Sequence, residues 1–362
     1  MAPPSTPGAS PRREFLAVRQ FGSLDGLRAA SILLVVWHHA SGHGSRGYLG
    51  VDLFFAISGF LITTLLLREK GRTGTVALRG FYVRRTLRIF PLYFAVLGLY
   101  TALALWLPAG SAQDAEAQRA FLGNLPYFLT YTSNWFVRLD SGPRVLFYFA
   151  WSLATEEQFY LLWPWAVRGA RSWAGPVLTM GALLAVDQLT GRLVGAGVWS
   201  GASLPVRVAT SIATPICLGC LLGVALHHER SFDVARRLLA PRASAPLAAL
   251  AVAVAIALPQ VPDDAVAVVM TWLVGACAVR EDHPLARVLA SRPVAYVGTV
   301  SYGMYLVHML SLNVVRRLLH GAAAPAVVTF ALTAALALAV ASVSYRFFER
   351  PFLRLKERFA RA

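Results

Sequence analysis

The feature that most constrains this chain is a series of apolar runs, each about long enough to cross a bilayer. About 20 helical residues span the hydrocarbon core, because each residue adds about 1.5 Å of rise. About ten runs meet this description: residues 24–41, 48–67, 87–108, 146–168, 172–190, 206–226, 245–260, 263–280, 295–313 and 324–347. They predict an all-α integral membrane protein with a bundle of about ten transmembrane helices. Residues 121–135 are more polar and more interrupted than these runs, and they are expected to be re-entrant or interfacial.

The charge composition agrees with this class. The 362 residues are 57% hydrophobic and only 14% charged, whereas a soluble domain averages about 25% charged residues. The net charge of +16 is expected to orient the chain and to contact lipid headgroups. No soluble basic domain is visible, so no nucleic-acid partner is expected.

Basic residues cluster between alternate apolar runs and predict the orientation. They precede the first run and follow the second, the sixth and the tenth, as in Arg12, Arg13, Arg68, Lys70, Arg72, Arg230, Arg236, Arg237, Arg350 and Arg354. By the positive-inside bias, both termini are expected to be cytoplasmic in a multi-pass plasma-membrane protein. Arg316 and Arg317 depart from this pattern, because they fall on the predicted outer side.

The ends of the chain are predicted to lie outside the membrane. The first residues are basic and rich in proline and serine, and they lack the apolar core of a signal peptide. Residues 1–22 are therefore expected to be a disordered basic cytoplasmic tail, residues 23–355 the transmembrane domain, and residues 356–362 a short basic tail. Three cysteines, Cys217, Cys220 and Cys277, lie in apolar segments and are expected to be buried thiols.

The stretch "LRAASILLVVWHHA" places Arg28, His38 and His39 in an apolar helix. Ionisable residues in a span usually face a polar cavity or a partner. Arg28 and His39 are eleven residues apart, so they share a helix face at about 16 Å separation, and only a long ligand can contact both. His38 projects about 100° away. The alternative is that Arg28 extends to the interface and the histidines lie at the other interface.

Five further segments place polar or ionisable side chains at the ends of runs. They are "GVDLFFAISGFLI", "RRTLRIFPLY", "WSLATEEQFYLLWP", "SYGMYLVH" and "YRFFERPF". Their candidate residues are Asp52, Ser58, Arg84, Arg85, Arg88, Glu156, Glu157, Ser301, Tyr302, Tyr305 and His308. Spacings of three and four residues place Tyr305 with His308, and Arg84 with Arg88, on common helix faces.

These segments, together with "LDGLRAASILLVVWHHA" and in this order, resemble the membrane acyltransferase-3 family over about residues 21–355. That family contains bacterial O-acyltransferases that modify polysaccharides, peptidoglycan and antibiotics. Arg28 and His39 match its signature of arginine, ten residues and histidine. The family commonly has a histidine two residues before the tryptophan of "WSL", where this chain has Phe149. His38 or His43 is a possible replacement. A stand-alone form without a C-terminal esterase-like domain is expected.

The resemblance implies transfer of an acyl group, usually acetyl, from acyl-CoA to a hydroxyl. Arg84, Arg85 and Arg88, together with Arg28, are then expected to bind the nucleotide phosphates of the donor. His39 is expected to act as general base or, alternatively, as acyl carrier. The remaining expectations are a carboxylate from Glu156 or Glu157 that orients or charge-balances an imidazole, and a pocket formed by Ser301, Tyr302, Tyr305, His308, Asp52 and Ser58.

Alternatives stay open at this point. Ten spans with buried ionisable groups also suit a proton-coupled transporter of a small polar solute, although no inverted repeat is visible. A glycosyl- or phosphotransferase with a polyprenyl donor would favour acidic metal clusters, and none stands out. His39 and His43 have a metal-ligand spacing, but no acid or cysteine accompanies them, so no metal is expected. The acceptor stays open among a glycan, a lipid-linked sugar and a macrolide-like metabolite.

Overall fold

The computed structural model of the protein describes residues 10–18, 20–42, 45–138, 145–319 and 324–358. Every regular element in these ranges is helical, which confirms the all-α class. The α-helices are α1 Pro11–Ala17, α2 Gly22–Ser41, α3 Gly50–Thr73, α4 Leu78–Trp106, α5 Ala112–Gly123, α6 Leu125–Leu129, α7 Ser133–Phe136, α8 Trp151–Gly169, α9 Ala174–Gly195, α10 Leu204–Ala209, α11 Thr214–His227, α12 Glu229–Leu239, α13 Ser244–Ala257, α14 Asp263–Val279, α15 Ala286–Leu289, α16 Arg292–Leu318, α17 Ala326–Ser344 and α18 Arg350–Arg358.

The helices confirm a multi-pass membrane protein. Each of the ten predicted runs contains a helix, the shortest of 14 residues. Among the described residues, five helical segments are long and apolar enough to cross a bilayer: Arg46–Thr73, Leu78–Trp106, Ala174–Gly195, Leu204–His227 and Ala326–Leu355. A sixth span results if α12 and α13, which meet at a bend of 72°, form one broken span. The count of ten and the cytoplasmic position of both termini stay predictions.

The chain divides into two compact units, each described by itself. Unit 1 comprises Met1–Val76, Val167–Met180 and Thr214–Tyr345, and unit 2 comprises Ala77–Ala166, Gly181–Ala213 and Arg346–Ala362. The division passes through α8 and α9. Most predicted site residues, including Arg28 and His39, therefore lie in unit 1, whereas the arginines of α4 and the glutamates of α8 lie in unit 2.

In unit 1, α3 and α11 approach each other through small residues. A Cβ added at Gly59 would lie 2.2 Å from the carbonyl oxygen of Ile216, and one added at Gly219 would lie 2.3 Å from that of Ala56. Such small-residue contacts let helix backbones pack closely in membrane proteins. Cys217 and Cys220 are buried on the same helix, as predicted from their apolar setting.

The N-terminal helix α1 is anchored on unit 1. Phe15 is buried, with its ring 5.9 Å from that of Phe232. The guanidinium of Arg68 donates hydrogen bonds to the carbonyls of Phe15 and Val18. Composition predicts disorder for residues 1–22, yet the described residues from Pro11 to Ala17 are helical because this apolar anchor and these hydrogen bonds hold them.

Arg46 ties the connection between α13 and α14 to the start of α3. Its guanidinium donates to the carbonyls of Ala255 at 2.9 Å and Val261 at 2.8 Å, and it pairs with Asp263. The Tyr48 hydroxyl donates to the same carboxylate at 3.1 Å. One side chain therefore satisfies several acceptors that lack helix partners.

Replacing Arg46 with leucine is expected to lower the free energy of unfolding by about 2–3 kcal/mol, because these acceptors lose a charged donor. Thermal unfolding in detergent measures the change. Arg242→Leu is the matched control, since Arg242 pairs with Asp282 at 3.4 Å and both side chains are largely exposed, and it should cost less than about 0.5 kcal/mol. Equal losses in the two variants would contradict this role of Arg46.

Unit 2 contains an aromatic cluster between α4 and the segments that precede α8. The ring of Tyr93 stacks on Tyr131 at 4.3 Å, and its hydroxyl donates to the carbonyl of Phe128 at 2.8 Å. Phe147 and Phe149 pack beside them, 4.9 Å apart. Residues 121–135, expected from the sequence to be re-entrant or interfacial, form the end of α5 and the short helices α6 and α7.

Candidate functional site

Helix α2 carries both signature residues, Arg28 in its first half and His39 in its last turn. The helix is continuous from Gly22 to Ser41, so eleven residues separate Arg28 and His39 by about 16 Å. The Arg28 guanidinium lies 3.7 Å from the Asp25 carboxylate. His39, in the last turn, is half-buried. The structure thus keeps the two side chains well apart on one helix, as the spacing predicted.

The His39 imidazole lies beside the imidazole of His308 from α16. The two ring centroids are 5.1 Å apart, with an interplanar angle of 33°. His38, which helix geometry points away from His39, nevertheless places its ring 5.0 Å from that of His39. Three histidines therefore meet at the end of α2.

Backbone carbonyls assign the tautomers of two of these rings. His308 is fully buried, and its Nδ1 is hydrogen-bonded to the Tyr305 carbonyl. The Nδ1 of His38 lies 2.7 Å from the Ser45 carbonyl. A carbonyl only accepts, so each Nδ1 carries a proton, and Nε2 of each neutral ring is an acceptor. His39 is the more accessible partner of the buried His308.

Arg316 also belongs to this group, although the sequence analysis did not select it. Its Nη2 donates to the His39 carbonyl at 2.9 Å. That carbonyl lies in the last turn of α2, where carbonyls lack helix partners and cations are favourable. The sequence did contain a signal for this contact, because Arg316 is a basic residue on the predicted outer side that the orientation bias does not explain.

The candidate residues of α16 differ in burial and in their contacts. Tyr305 is buried, with its ring 5.4 Å from His308 and 6.4 Å from Phe54 of α3. The Ser301 hydroxyl donates to the Gly298 carbonyl of its own helix at 2.8 Å. Tyr302 is half-buried. The structure therefore brings His308 beside His39 and Tyr305 beside His308, while the Ser301 hydroxyl donates to its own helix.

A glycine sets the position of α16 against α2. A Cβ added at Gly298 would lie 1.9 Å from the Asp25 carbonyl oxygen. The two helices run in the same direction, since Gly298 meets Asp25 at one end and His308 meets His39 towards the other. Because of this close approach, α16 packs along the part of α2 that carries both signature residues.

The candidates on α3 are an aspartate in its first turn and a buried serine. Asp52 is in the first turn of α3, where a carboxylate is favourable, and the negative charges of Asp263 and Asp264 act on it. Ser58 is buried six residues further along the helix. Their role in a pocket stays a prediction.

Unit 2 groups the other candidates around Arg85. Its guanidinium lies 4.6 Å from the ring centroid of Tyr160, whose hydroxyl donates to Glu156. The charge of Arg85 also acts on Glu157. Arg84 and Arg88 are half-buried on the same helix, α4. Tyr160 was missed by the sequence analysis, although its spacing of four residues from Glu156 places them on one face.

Phe149, at the position where the family commonly has histidine, is an interior aromatic residue. It is 2% exposed, and its ring lies 6.2 Å from that of Tyr100 and 4.9 Å from that of Phe147. Of the two suggested replacements, His38 lies beside His39, whereas His43 falls outside the described residues.

Within the described ranges, no group of three or more histidine, cysteine, aspartate or glutamate side chains is arranged to hold a metal ion. The expectation that no metal is required stays a prediction, and His43 of the possible His39–His43 pair lies outside these ranges.

Comparison with known proteins agrees with the sequence motifs. The family model of the acyltransferase domain matches residues 21–346. "Peptidoglycan O-acetyltransferase OatA" of Listeria monocytogenes is 26% identical over 359 residues, which cover 91% of this chain and 55% of that protein. "Putative peptidoglycan O-acetyltransferase YrhL" of Bacillus subtilis is 28% identical over 315 residues, 80% of this chain and 48% of that protein.

A Staphylococcus aureus protein named as a "Putative O-acetyltransferase" is 34% identical over 156 residues, 42% of this chain and 25% of its own length. The chain thus spans about half or less of the length of these relatives. No solved structure matches it. Because the family model covers nearly the whole chain, the protein belongs to the acyltransferase domain family.

Proposed function

We propose that the protein is a membrane O-acyltransferase that moves an acyl group from acyl-CoA to a hydroxyl of an acceptor. Acetyl is the favoured acyl group. The observation that carries the proposal is the contact between His39 and the buried His308, at 5.1 Å between ring centroids. It lies within the part of the chain that matches the acyltransferase family.

His39 is the proposed general base. A histidine titrates near neutral pH and exchanges protons with oxygen and sulfur groups in catalysis. In the proposed step, the His39 imidazole removes the proton of the acceptor hydroxyl, whose oxygen bonds to the thioester carbonyl carbon. The carbon–sulfur bond then breaks, and the departing thiolate of CoA takes the proton from the imidazolium. His39 as transient acyl carrier is the alternative.

His308 and Tyr305 are proposed to support this step. The buried His308 is fixed by the Tyr305 carbonyl, so it offers His39 a rigid neighbour. A developing oxyanion requires a donor in a water-poor site. Tyr305, whose ring lies 5.4 Å from that of His308, is the proposed donor. Tyr302, Asp52 and Ser58 keep their proposed pocket role.

Arg84, Arg85 and Arg88, with Arg28, are proposed to bind the phosphates of the acyl-CoA donor. Guanidinium groups bind phosphates in a bidentate manner and stay charged. The packing of the Arg85 guanidinium on the Tyr160 ring, 4.6 Å from its centroid, supports a positioned arginine. That Glu156 or Glu157 orients an imidazole is a further proposal. Membrane lipid surrounds the site, and no metal takes part.

The proposed acceptor is a glycan of the cell envelope, because two relatives bear the name of peptidoglycan O-acetyltransferases. A lipid-linked sugar and a macrolide-like metabolite are the other acceptors of the same chemistry. All three present hydroxyls to the same base.

Expression in a bacterium that lacks its own O-acetyltransferase tests this function. Base-labile acetate on the purified cell-wall glycan should rise with the wild-type protein and stay at the background level with an equal amount of membrane-inserted His39→Ala. Glycan, lipid and secreted fractions are analysed separately to identify the acceptor. Solute uptake into proteoliposomes, with no acetate gained by any fraction, would overturn the proposal in favour of a proton-coupled transporter.

A further inference from the structure

Unit 1 contains a strongly basic cavity whose lining includes none of the residues assigned above to acyl transfer. It has a volume of about 1210 Å³ and lies where the ends of α3 and α11 meet the segment after α8. Its charged lining residues are Arg12, Arg68, Lys70, Arg72, Arg171 and Glu229. With histidines neutral, five cations face one carboxylate, so the lining carries a net formal charge of +4.

Three of these cations donate hydrogen bonds to backbone carbonyls, which are neutral acceptors. Arg12 donates to the His227 carbonyl at 3.0 Å, Arg68 to that of Phe15 at 2.8 Å, and Lys70 to that of Val167 at 2.7 Å. Such bonds satisfy backbone oxygens at helix ends. A carbonyl is neutral, however, so none of these bonds supplies a counter-ion for the positive charge. Clustered cations in a partly buried space favour an anion.

Two buried atoms at the cavity also have no hydrogen-bond partner among the described residues. They are Nε of Arg68 and Nε2 of His227. The Nδ1 of His227 lies 2.7 Å from the Gly223 carbonyl, so that nitrogen carries a proton and Nε2 is left for another group. Buried polar atoms are nearly always satisfied. The Nε–H of Arg68 therefore points to a ligand with oxygen acceptors, whereas Nε2 of His227, an acceptor, needs a donor such as a ligand hydroxyl.

The cavity also has an aromatic side. Trp173 is 54% exposed, and its ring centroid lies 4.6 Å from that of His228. An exposed indole beside clustered cations suits a ligand that joins an anionic group to an apolar or planar part.

We propose that this cavity binds the phosphate group of an amphipathic anionic ligand. Phosphate supplies the oxygen acceptors and the negative charge that the arginines lack. Two sources share this chemistry: a nucleotide phosphate, as at the nucleotide end of CoA, and the headgroup of an anionic phospholipid. The inference concerns unit 1 alone and does not depend on the proposed acyl transfer.

Binding to the purified full-length protein tests this inference. The probes are adenosine 3′,5′-bisphosphate, followed by titration calorimetry in phosphate-free buffer, and nanodiscs containing phosphatidylglycerol, compared with phosphatidylcholine nanodiscs by native mass spectrometry. The cavity variant carries Arg72→Glu and Arg171→Glu, two exposed residues with no part in the hydrogen bonds above. The control carries Arg287→Glu and Arg317→Glu, which are equally exposed and do not line the cavity.

We expect saturable binding of at least one probe, weakened about tenfold or more in the cavity variant and about twofold or less in the control. Saturation by the bisphosphate identifies a nucleotide source, and selectivity for phosphatidylglycerol alone identifies a headgroup. No saturable binding, or equal weakening in the two variants, would overturn the inference. Because the readout is binding, a protein that binds without transferring acetyl separates this inference from the proposed function.

Discussion

Replacing His39 with alanine is expected to lower the rate of acetyl transfer by about 10²- to 10⁴-fold, the usual contribution of a general base. The physical reason is that the acceptor hydroxyl keeps its proton when the imidazole beside His308 is absent. Transfer of label from acetyl-CoA to the acceptor measures the effect in purified protein. Thermal unfolding should be nearly unchanged, since His39 is only half-buried.

His38→Ala is the matched control for this prediction. The His38 ring lies 5.0 Å from that of His39, but its Nδ1 is engaged by the Ser45 carbonyl. It should keep most of the transfer activity. A His38 variant as inactive as the His39 variant, with both proteins folded, would assign the base to His38 or to the histidine pair.

Gly298→Ala should produce the largest loss of stability expected here. The added Cβ would meet the Asp25 carbonyl oxygen at 1.9 Å, and backbone cannot move aside as a flexible side chain does. Overpacking commonly costs about 1–3 kcal/mol, and this contact should cost at least that, because α2 and α16 must separate. Thermal unfolding in detergent and the yield of folded protein measure the effect. Transfer activity should fall too, since α16 carries Tyr305 and His308.

Gly98→Ala controls for the loss of a helical glycine. Gly98 lies within α4, and a Cβ there would have no neighbour within 4 Å. Alanine is a better helix former than glycine, so this variant should be as stable as the wild type or more stable by up to about 1 kcal/mol. A Gly298→Ala protein that unfolds at the same temperature as the control would contradict the close approach of the two helices.

The helices were the most predictable part of the fold. Runs of about 20 apolar residues leave few options in a bilayer, and each predicted run contains a helix of at least 14 residues. The anchoring of α1 was not predictable from local composition. It depends on Phe232, more than 200 positions away in sequence, and on Arg68, which bonds to the α1 backbone.

The candidate site was predictable along each helix but not between helices. Helix periodicity placed Arg28 and His39 on α2, and Tyr305 with His308 on α16. The meeting of His39 with His308 depends on how α2 and α16 pack, and that packing is set by Gly298 against the Asp25 backbone. The sequence around a glycine in an apolar helix does not indicate which helix packs against it. The contact of Arg316 with the His39 carbonyl was not predictable for the same reason, because the two residues lie on different helices.

Direct assay of acetyl transfer tests the central claim. Purified protein in nanodiscs is incubated with acetyl-labelled acetyl-CoA and soluble fragments of cell-wall glycan, while label in the glycan and free CoA thiol are measured together. The account predicts that wild-type protein releases one thiol for each acetyl gained by the glycan, and that folded His39→Ala does neither above background. Equal transfer by His39→Ala would contradict the role of His39. No transfer by intact wild-type protein, with glycan, lipid-linked and small-molecule acceptors all supplied, would contradict acyl transfer itself.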